Sequence, residues 1–209
     1  MNQSMEEDLD NIEQRTLAHY EENADSFWLG TQDHDVSQNI DAFLQALPKE
    51  EALDILDFGC GPGRDLATFK ALGHNPTGLD GSKSFCQMAH RHSGCPTLHQ
   101  QFLSLDLEPE SFDGIFANAS LFHIPSAELP RVLTQLHSAL RSDGILFSSN
   151  PRGDSEGWQG PRYGHYMELE NMQNFLEQAG FKIMHHYYRP EGQPREQQPW
   201  LAIISQRSV

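Results

Sequence analysis

The sequence predicts an α/β domain in which helices cover both faces of a mostly parallel sheet. Seven short apolar segments typical of strands alternate with helix-like segments along the 209 residues. Strands separated by helices pair in parallel, because the connecting helix returns the chain to the starting edge of the sheet. No helix-like segment separates the last two strands, 181–188 and 200–206, so we expect the last strand to pair antiparallel with its predecessor.

The order of elements supports this fold along the whole chain. A helix from Met5 to about Trp28 and a second from Asp35 to Leu47 are predicted from apolar residues at helical spacing, and Pro48 ends the second. The other strands are expected at 52–58, 75–80, 97–103, 112–119 and 144–150, and the other helices at 64–72, 82–91, 126–140 and 167–179. A chain of this length is expected to form one domain with a continuous core.

Composition and charge exclude several classes of partner. The chain has 14 Lys and Arg against 30 Asp and Glu, a formal net charge of −16, which stays negative even with all 11 His protonated. Such a surface repels phosphate backbones and anionic lipids, so we expect no nucleic-acid or membrane partner. The acidic N-terminal segment lacks the features of a signal peptide, and three Cys make no disulfide framework, so we expect a cytoplasmic protein. The sequence does not indicate an oligomeric state.

The strongest local signal is a glycine-rich turn between a strand and a helix, Leu56–Asp65 (LDFGCGPGRD). Glycine permits a tight turn and a close approach of the backbone to a ligand. Asp80 ends the next strand, 23 residues after Asp57, where a carboxylate can accept hydrogen bonds from both hydroxyls of a ribose. Together these features predict a nucleoside-bearing cofactor at the carboxyl edge of the sheet.

The details of the turn favour one class of cofactor. A dinucleotide fingerprint has a third glycine where this chain has Arg64, and a phosphate-binding P-loop ends in Gly-Lys-Ser/Thr, which is absent. The carboxylate of Asp57 would repel a pyrophosphate but attract an ammonium group. S-adenosylmethionine (SAM) carries both an ammonium and a sulfonium group, so its chemistry suits this acidic turn.

Five segments in this order resemble the motifs of the class I SAM-dependent methyltransferases, which have a Rossmann-like seven-stranded sheet with an antiparallel last strand. They are LDFGCGPGRD, LDGS at 79–82, QQFLSLDL at 100–107, FDGIFANASLFHI at 112–124 and LRSDGILF at 140–147. The resemblance extends from about residue 15 to residue 206 and implies methyl transfer to a small molecule, with S-adenosylhomocysteine (SAH) as a product. It also implies that residues 1–50 form a helical cap over the cofactor and residues 51–209 the core.

The resemblance and the turn together assign the cofactor site. The candidates in the core are Asp57, Gly59, Cys60, Gly61, Arg64, Asp80, Gly81, Ser82, Phe102, Leu103 and Asn118, and those in the cap are Tyr20, Trp28 and Thr31. From the residues alone, the glycines could mark an ordinary turn, the two acidic residues could cap helices, and the apolar residues could belong to the core.

The composition of two segments near the carboxyl end of the sheet predicts where the methyl acceptor binds. The segment 150–166 gathers arginines and aromatic residues after the fifth strand, and a similar cluster spans 187–200. The candidates for acceptor binding are Arg152, Trp158, Arg162, Tyr163, Tyr166 and Tyr188. Arginines at this edge suggest an anionic acceptor, such as a carboxylate, although they could equally pair with the abundant Asp and Glu. The aromatic residues of these segments make an aromatic acceptor the alternative.

His123, just after the fourth strand, is the candidate general base, because imidazole titrates near neutral pH; a structural role in the turn is the alternative. No metal is expected, because Cys86, His90, His92, Cys95 and His99 match no structural zinc spacing. Two other functions fit parts of the pattern. A non-catalytic SAM-binding scaffold would keep the cofactor motifs, and an NAD-dependent oxidoreductase would share the strand-turn-helix plan but needs the third glycine.

Overall fold

The computed structural model describes residues 3–49 and 52–208, with side chains from residue 8 onward. The helices are α1 Gln3–Glu22, α2 Ala24–Thr31, α3 Ser37–Ala46, α4 Arg64–Ala71, α5 Lys83–Ser93, α6 Leu129–Ala139 and α7 Leu169–Gln178. The strands are β1 Asp54–Phe58, β2 Asn75–Asp80, β3 Thr97–His99, β4 Phe112–Asn118, β5 Leu140–Pro151, β6 Glu156–Gln159, β7 Arg162–His165, β8 Phe181–Arg189 and β9 Trp200–Arg207. The predicted boundary between cap and core, at residues 50 and 51, lies outside the described residues.

The main sheet has seven strands in the order β3-β2-β1-β4-β5-β9-β8. The strands β1 to β5 pair in parallel, and β9 lies antiparallel between β5 and β8. The predicted Rossmann-like α/β fold and its antiparallel last strand are therefore confirmed. The strand order changes direction between β1 and β4, and a crevice for ligands forms at the carboxyl ends of the strands at such a point.

Alternating side chains on the buried strands build a core on each face of the sheet. On β4, Ile115 belongs to the apolar cluster that α6 and α7 cover, whereas its neighbour Phe116 belongs to the cluster under α3. Phe43 of α3 contacts the Phe116 ring, which stacks on Phe147 of β5 at 4.8 Å between centroids. These two layers fix the strand ends that carry the site.

The first predicted helix is instead two helices, α1 and α2, because Asn23 interrupts it. The Asn23 amide donates a hydrogen bond to the carbonyl oxygen of His19 at 2.8 Å, and the Ser26 hydroxyl donates to that of Asn23 at 3.0 Å. Such side-chain bonds compete with the helical pattern of the backbone. The break turns α2 across the top of the glycine turn. Among the described helices, none is both long and apolar enough to cross a membrane.

The second difference lies in the segment 150–166, where the sequence predicts no strand beyond residue 150. It contains a hairpin, in which β6 and β7 pair antiparallel across the two-residue turn Gly160–Pro161. Gly160 has a φ of +65°, which is favoured by glycine. Smaller differences are that the helix predicted at 126–140 begins at Leu129 and that the third strand ends at His99.

Candidate functional site

A cavity of about 650 Å³ opens at the carboxyl ends of the parallel strands, between the sheet and the helices α1 and α2. Its floor includes the turn after β1 and the ends of β2, β4 and β5, and its roof includes side chains of both helices. This volume lies in the range of small-molecule and cofactor sites.

Glycine is required in the turn after β1 by both backbone conformation and space. Gly59, Gly61 and Gly63 have φ values of +79°, +51° and +92°. A Cβ atom on Gly59 would lie 2.5 Å from Cβ of Ser120, and one on Gly63 would lie 2.6 Å from Cα of Ala89. The turn therefore brings bare backbone to the cavity at Gly59 and packs α4 closely on α5 at Gly63.

Asp80, at the end of β2, presents a buried carboxylate to the cavity. One oxygen accepts a hydrogen bond from the Gly61 backbone N–H at 3.0 Å, and the other accepts one from the Ser82 N–H at 2.8 Å. Burial raises the pKa of Asp80 to about 6. Each oxygen keeps a lone pair for a further donor, so the carboxylate can accept hydrogen bonds from a pair of hydroxyl groups.

Ser82 differs from its prediction, because the structure places it outside the cavity lining. Its hydroxyl caps α5 by accepting a hydrogen bond from the Phe85 N–H at 3.1 Å, and it donates to Glu21 of α1 at 2.6 Å. Glu21 also accepts a bond from the Ser84 hydroxyl at 2.6 Å. Ser82 therefore joins the roof helix α1 to the core.

Asp57 also lies outside the lining, beneath the turn. It is buried, and one of its carboxylate oxygens has no hydrogen-bond partner among the described residues. Burial and the nearby charge of Asp65 raise the pKa of Asp57 well above its usual range. Arg64 does line the cavity, but Asp65 pairs with it at 2.7 Å, and its guanidinium donates to the Thr31 carbonyl at 3.0 Å.

Aromatic side chains form much of the roof and one wall. The Tyr20 ring lies edge-on to Phe27 at 5.5 Å between centroids, and Trp28 stacks on His92 at 4.5 Å. On the wall, Phe102 stacks on Phe58 of β1 at 4.3 Å. Such flat apolar surfaces suit a planar ligand group and exclude water from the interior of the cavity.

His123 reaches the cavity within a chain of hydrogen bonds. Its Nδ1 lies 2.7 Å from the backbone carbonyl oxygen of Tyr163, which only accepts, so Nδ1 carries the proton. Its Nε2 then accepts from the Tyr20 hydroxyl at 2.8 Å, and Arg162 donates to the same hydroxyl oxygen at 3.0 Å. Burial lowers the pKa of His123 to about 4, so the imidazole is neutral near pH 7.

A neutral buried His123 makes stability depend on pH. The unfolded chain binds a proton here near pH 6.5, whereas the folded protein binds one only near 4. The contribution of His123 to the free energy of unfolding is therefore fully present above pH 6.5, and about 3 kcal/mol of it is lost as the pH falls to 4. We expect His123→Asn to lose less of its free energy of unfolding than the unsubstituted chain between pH 7.5 and 4.5, measured by urea denaturation. An equal loss in both proteins would contradict a neutral His123.

The other cofactor candidates line the cavity. They are Tyr20, Trp28, Thr31, Gly59, Cys60, Gly61, Arg64, Asp80, Gly81, Phe102, Leu103 and Asn118. Asn118 is held by the Asn39 amide, which donates to its carbonyl oxygen at 2.9 Å. The sequence analysis missed Asn39, because an asparagine within an amphipathic helix carries no signal of a distant partner.

The structure places none of the six acceptor-binding candidates in the cavity lining. Arg152 lies 3.5 Å from Glu168, the acidic pairing that the sequence left open. The guanidinium of Arg15 covers the Trp158 ring at 3.9 Å, and the Tyr163 hydroxyl donates to Glu156 at 3.0 Å. The hairpin of β6 and β7 therefore packs against α1.

The remaining three candidates also lie outside the cavity lining. Arg162 reaches it only through the Tyr20 hydroxyl. Tyr166 lies against Phe122 at 5.9 Å, and Tyr188 lies under the guanidinium of Arg195. Arg189 and Trp200, from the second cluster that the sequence analysis noted, do line the cavity, as does Ser149 of β5.

The Cys and His side chains of the possible metal pattern contact separate backbone carbonyl groups. His90 Nδ1 lies 2.9 Å from the Cys95 carbonyl oxygen, and His92 Nδ1 lies 2.9 Å from that of Pro62. The Cys86 thiol donates to the Asp80 carbonyl, and His99 contacts the Gly81 carbonyl at 3.0 Å. Within the part of the chain that the structure describes, no three His, Cys, Asp or Glu side chains are placed to hold a metal ion.

The chain is similar in sequence to proteins that are named as methyltransferases. Residues 55–144 match the family described as "Methyltransferase domain". The trans-aconitate 2-methyltransferase of Escherichia coli is 30% identical over 153 residues, 69% of this chain and 57% of that protein. The O-methyltransferase cnsE of Penicillium expansum is 30% identical over 146 residues, 62% of this chain and 52% of that protein. The chain thus spans little more than half the length of these curated relatives, and 27% of the Candida albicans sterol 24-C-methyltransferase.

Solved structures share the fold at lower identity. The Burkholderia thailandensis 1,6-didemethyltoxoflavin-N1-methyltransferase, solved with its substrate and SAH, superimposes with a TM-score of 0.71 at 22% identity, covering 92% of this chain and 85% of that one. A SAM-dependent methyltransferase from Mesorhizobium loti gives a TM-score of 0.67 at 21% identity, covering 80% and 96% of the two chains.

Proposed function

Because the chain belongs to the class I SAM-dependent methyltransferases, we propose that it transfers the methyl group of SAM to a small-molecule acceptor. The observation that carries the proposal is the buried Asp80 carboxylate, which faces the same enclosed cavity as the glycine turn and the aromatic roof. A carboxylate held by two backbone N–H groups is a rigid acceptor for paired hydroxyls, as a ribose presents them.

The residues present fit SAM along one side of the cavity. Asp80 would hold the ribose, Phe102 and Leu103 would lie against the adenine, and the backbone of the glycine turn would approach the methionine part. When bound, SAM supplies an electrophilic methyl group on its sulfonium, so the protein needs mainly to orient the acceptor and to exclude water.

We propose that the roof performs this exclusion. Tyr20, Phe27 and Trp28 line the cavity from α1 and α2. The contacts that join these helices to the core include one from Glu21 to Ser82 at 2.6 Å and one from the Thr31 carbonyl to Arg64 at 3.0 Å. They would hold α1 and α2 as a cap over the bound cofactor, whereas α3, also within residues 1–50, packs in the core.

For a hydroxyl or amine acceptor, we propose that His123 receives the proton through Tyr20. The acceptor's proton would pass to the Tyr20 oxygen as the Tyr20 proton passes to His123 Nε2, 2.8 Å away. The Tyr163 carbonyl that holds Nδ1–H would stabilise the imidazolium. Both side chains line the cavity, so this path lies inside the proposed site.

Removing either member of this pair should slow turnover without loosening the cofactor. General-base catalysis contributes about 100-fold or more. We therefore expect Tyr20→Phe and His123→Asn each to lower kcat by about 100-fold, with the SAH dissociation constant within threefold of the unsubstituted value. Steady-state kinetics and calorimetry measure the two quantities. Unchanged kcat in both variants would show that the acceptor ionises without this pair.

The acceptor is proposed to be a small anionic or aromatic molecule. The names of two similar proteins support a small molecule, since one is named for trans-aconitate and the other, a structural neighbour, for 1,6-didemethyltoxoflavin. The net charge of −16 supports an acceptor other than a nucleic acid.

The proposed function is tested by turnover on a mixture of small molecules. The protein is incubated with methyl-labelled SAM and a cell extract passed through a membrane that retains macromolecules, and SAH and labelled products are measured. We expect SAH formation that depends on the extract and disappears in Asp80→Asn. A protein that binds SAH tightly but forms none with any extract would be the non-catalytic scaffold instead.

A further inference from the structure

The wall of the cavity opposite Asp80 carries a second set of ligand-directed groups. Ser149 lies in the buried part of β5, and Arg189 and Trp200 are register partners at the adjoining ends of β8 and β9. Trp200 also pairs with Pro151 of β5. The pairing of three strands therefore brings a hydroxyl, a guanidinium and an indole to one side of the cavity.

The Ser149 hydroxyl is an unused hydrogen-bonding group. Its residue is 0% exposed, and its Oγ has no hydrogen-bond partner among the described residues. A buried hydroxyl without a partner costs free energy. Because Ser149 lines the cavity, a ligand that enters this end can supply the missing partner.

Arg189 supplies the available positive charge. Of the Lys and Arg residues, two line the cavity, Arg64 and Arg189. Asp65 neutralises Arg64 at 2.7 Å. The Arg189 guanidinium donates to the Asp35 backbone carbonyl at 3.2 Å, and no carboxylate of the described residues lies within ion-pair distance of it.

The acidic residues near this wall do not cancel that charge. Asp33 and Asp35 lie at the mouth of the cavity and are exposed to solvent, which screens their charge. One oxygen of Asp35 accepts a hydrogen bond from the Ser37 N–H at 2.9 Å. A guanidinium with free donors in a fixed fork matches the geometry of a carboxylate.

We propose that Arg189, Ser149 and Trp200 form the acceptor subsite and that it takes a small carboxylate with a flat apolar body. Arg189 and Ser149 bind the carboxylate, and the flat body lies on the Trp200 indole. This subsite deepens the proposed function and rests on it, because the cofactor occupies the Asp80 side. The carboxylate is an anchor, and the group that receives the methyl lies toward Tyr20 and His123.

The experiment measures binding to the SAH complex, so it needs no knowledge of the acceptor. The protein is first titrated with SAH by calorimetry and then, saturated with SAH, with benzoate, 4-hydroxybenzoate, indole-3-acetate and succinate, each beside its primary amide. We expect at least one aromatic carboxylate to bind about tenfold more tightly than its amide, because a charge-assisted pair adds that much.

Three variants assign the effect to the subsite. Arg189→Gln should abolish the preference for the carboxylate, and Ser149→Ala should weaken carboxylate binding severalfold. Lys182→Gln, which removes the same charge from an exposed position of the same strand, should change neither. SAH binding should be equal in all three variants.

Three results would overturn the subsite. They are equal binding of acids and amides, no binding of any acid to the SAH complex, and an equal loss of preference in Lys182→Gln. If the protein does not bind SAH in the first titration, the proposed function is overturned, and the subsite with it.

Discussion

Asp80→Asn is expected to lower the affinity for SAM and SAH by about 100-fold, because it removes the charge from a carboxylate that would accept two hydrogen bonds. Asparagine has nearly the same shape, and its amide oxygen can still accept one of the two backbone N–H bonds that Asp80 accepts now. The fold should therefore survive while the site fails. Isothermal titration with SAH, beside circular dichroism of both proteins, measures the two effects separately.

Asp41→Asn is the matched control for this prediction. It makes the same change of charge at an exposed position of α3, outside the cavity lining. We expect its SAH affinity to equal that of the unsubstituted protein. If Asp80→Asn folded and bound SAH within threefold of the unsubstituted protein, Asp80 would not hold the cofactor.

Gly63→Ala is expected to lower the free energy of unfolding by about 3 kcal/mol, through left-handed strain and overpacking together. Gly63 has a φ of +92°, and its Cβ would lie 2.6 Å from Cα and 2.9 Å from Cβ of Ala89. Neither atom is the end of a flexible side chain, so α4 and α5 must separate. Urea denaturation at pH 7.5 measures the loss.

Gly73→Ala separates the two causes of that loss. Gly73 has nearly the same φ, +93°, but a Cβ there would meet nothing within 4 Å among the described residues. Strain alone should cost about 1 kcal/mol. Equal losses in the two variants would contradict the close packing of α4 on α5 at Gly63.

The cofactor side of the site could be predicted from the sequence because it is local. The glycine turn follows β1, Asp80 is the last residue of β2 and Phe102 lies shortly after the end of β3, and the carboxyl ends of parallel strands meet at one edge of the sheet. Knowing that a strand ends at a residue is then enough to place its side chain near the cavity. Ser82 lies outside the cavity lining, because its hydroxyl caps α5 and bonds to Glu21.

The acceptor side could not be predicted in this way because it depends on contacts between distant segments. Composition alone marked both the segment 150–166 and the segment 187–200, but it does not say which side of the chain faces the cavity. The Gly160–Pro161 turn folds the first segment into a hairpin against α1, and Thr16 accepts a hydrogen bond from the Tyr163 N–H at 3.1 Å. The antiparallel pairing of β8 with β9 sets Arg189 beside Trp200.

The most direct test of the central claim is thermal unfolding of the protein with SAM, SAH or NAD at millimolar concentration. A ligand at about 100 times its dissociation constant stabilises the folded state by about 2.7 kcal/mol, which raises the midpoint by several degrees. A SAM-dependent methyltransferase should unfold at a higher midpoint with SAM and with SAH and at an unchanged midpoint with NAD. A shift with NAD alone, or no shift with any of the three, would overturn the proposed function.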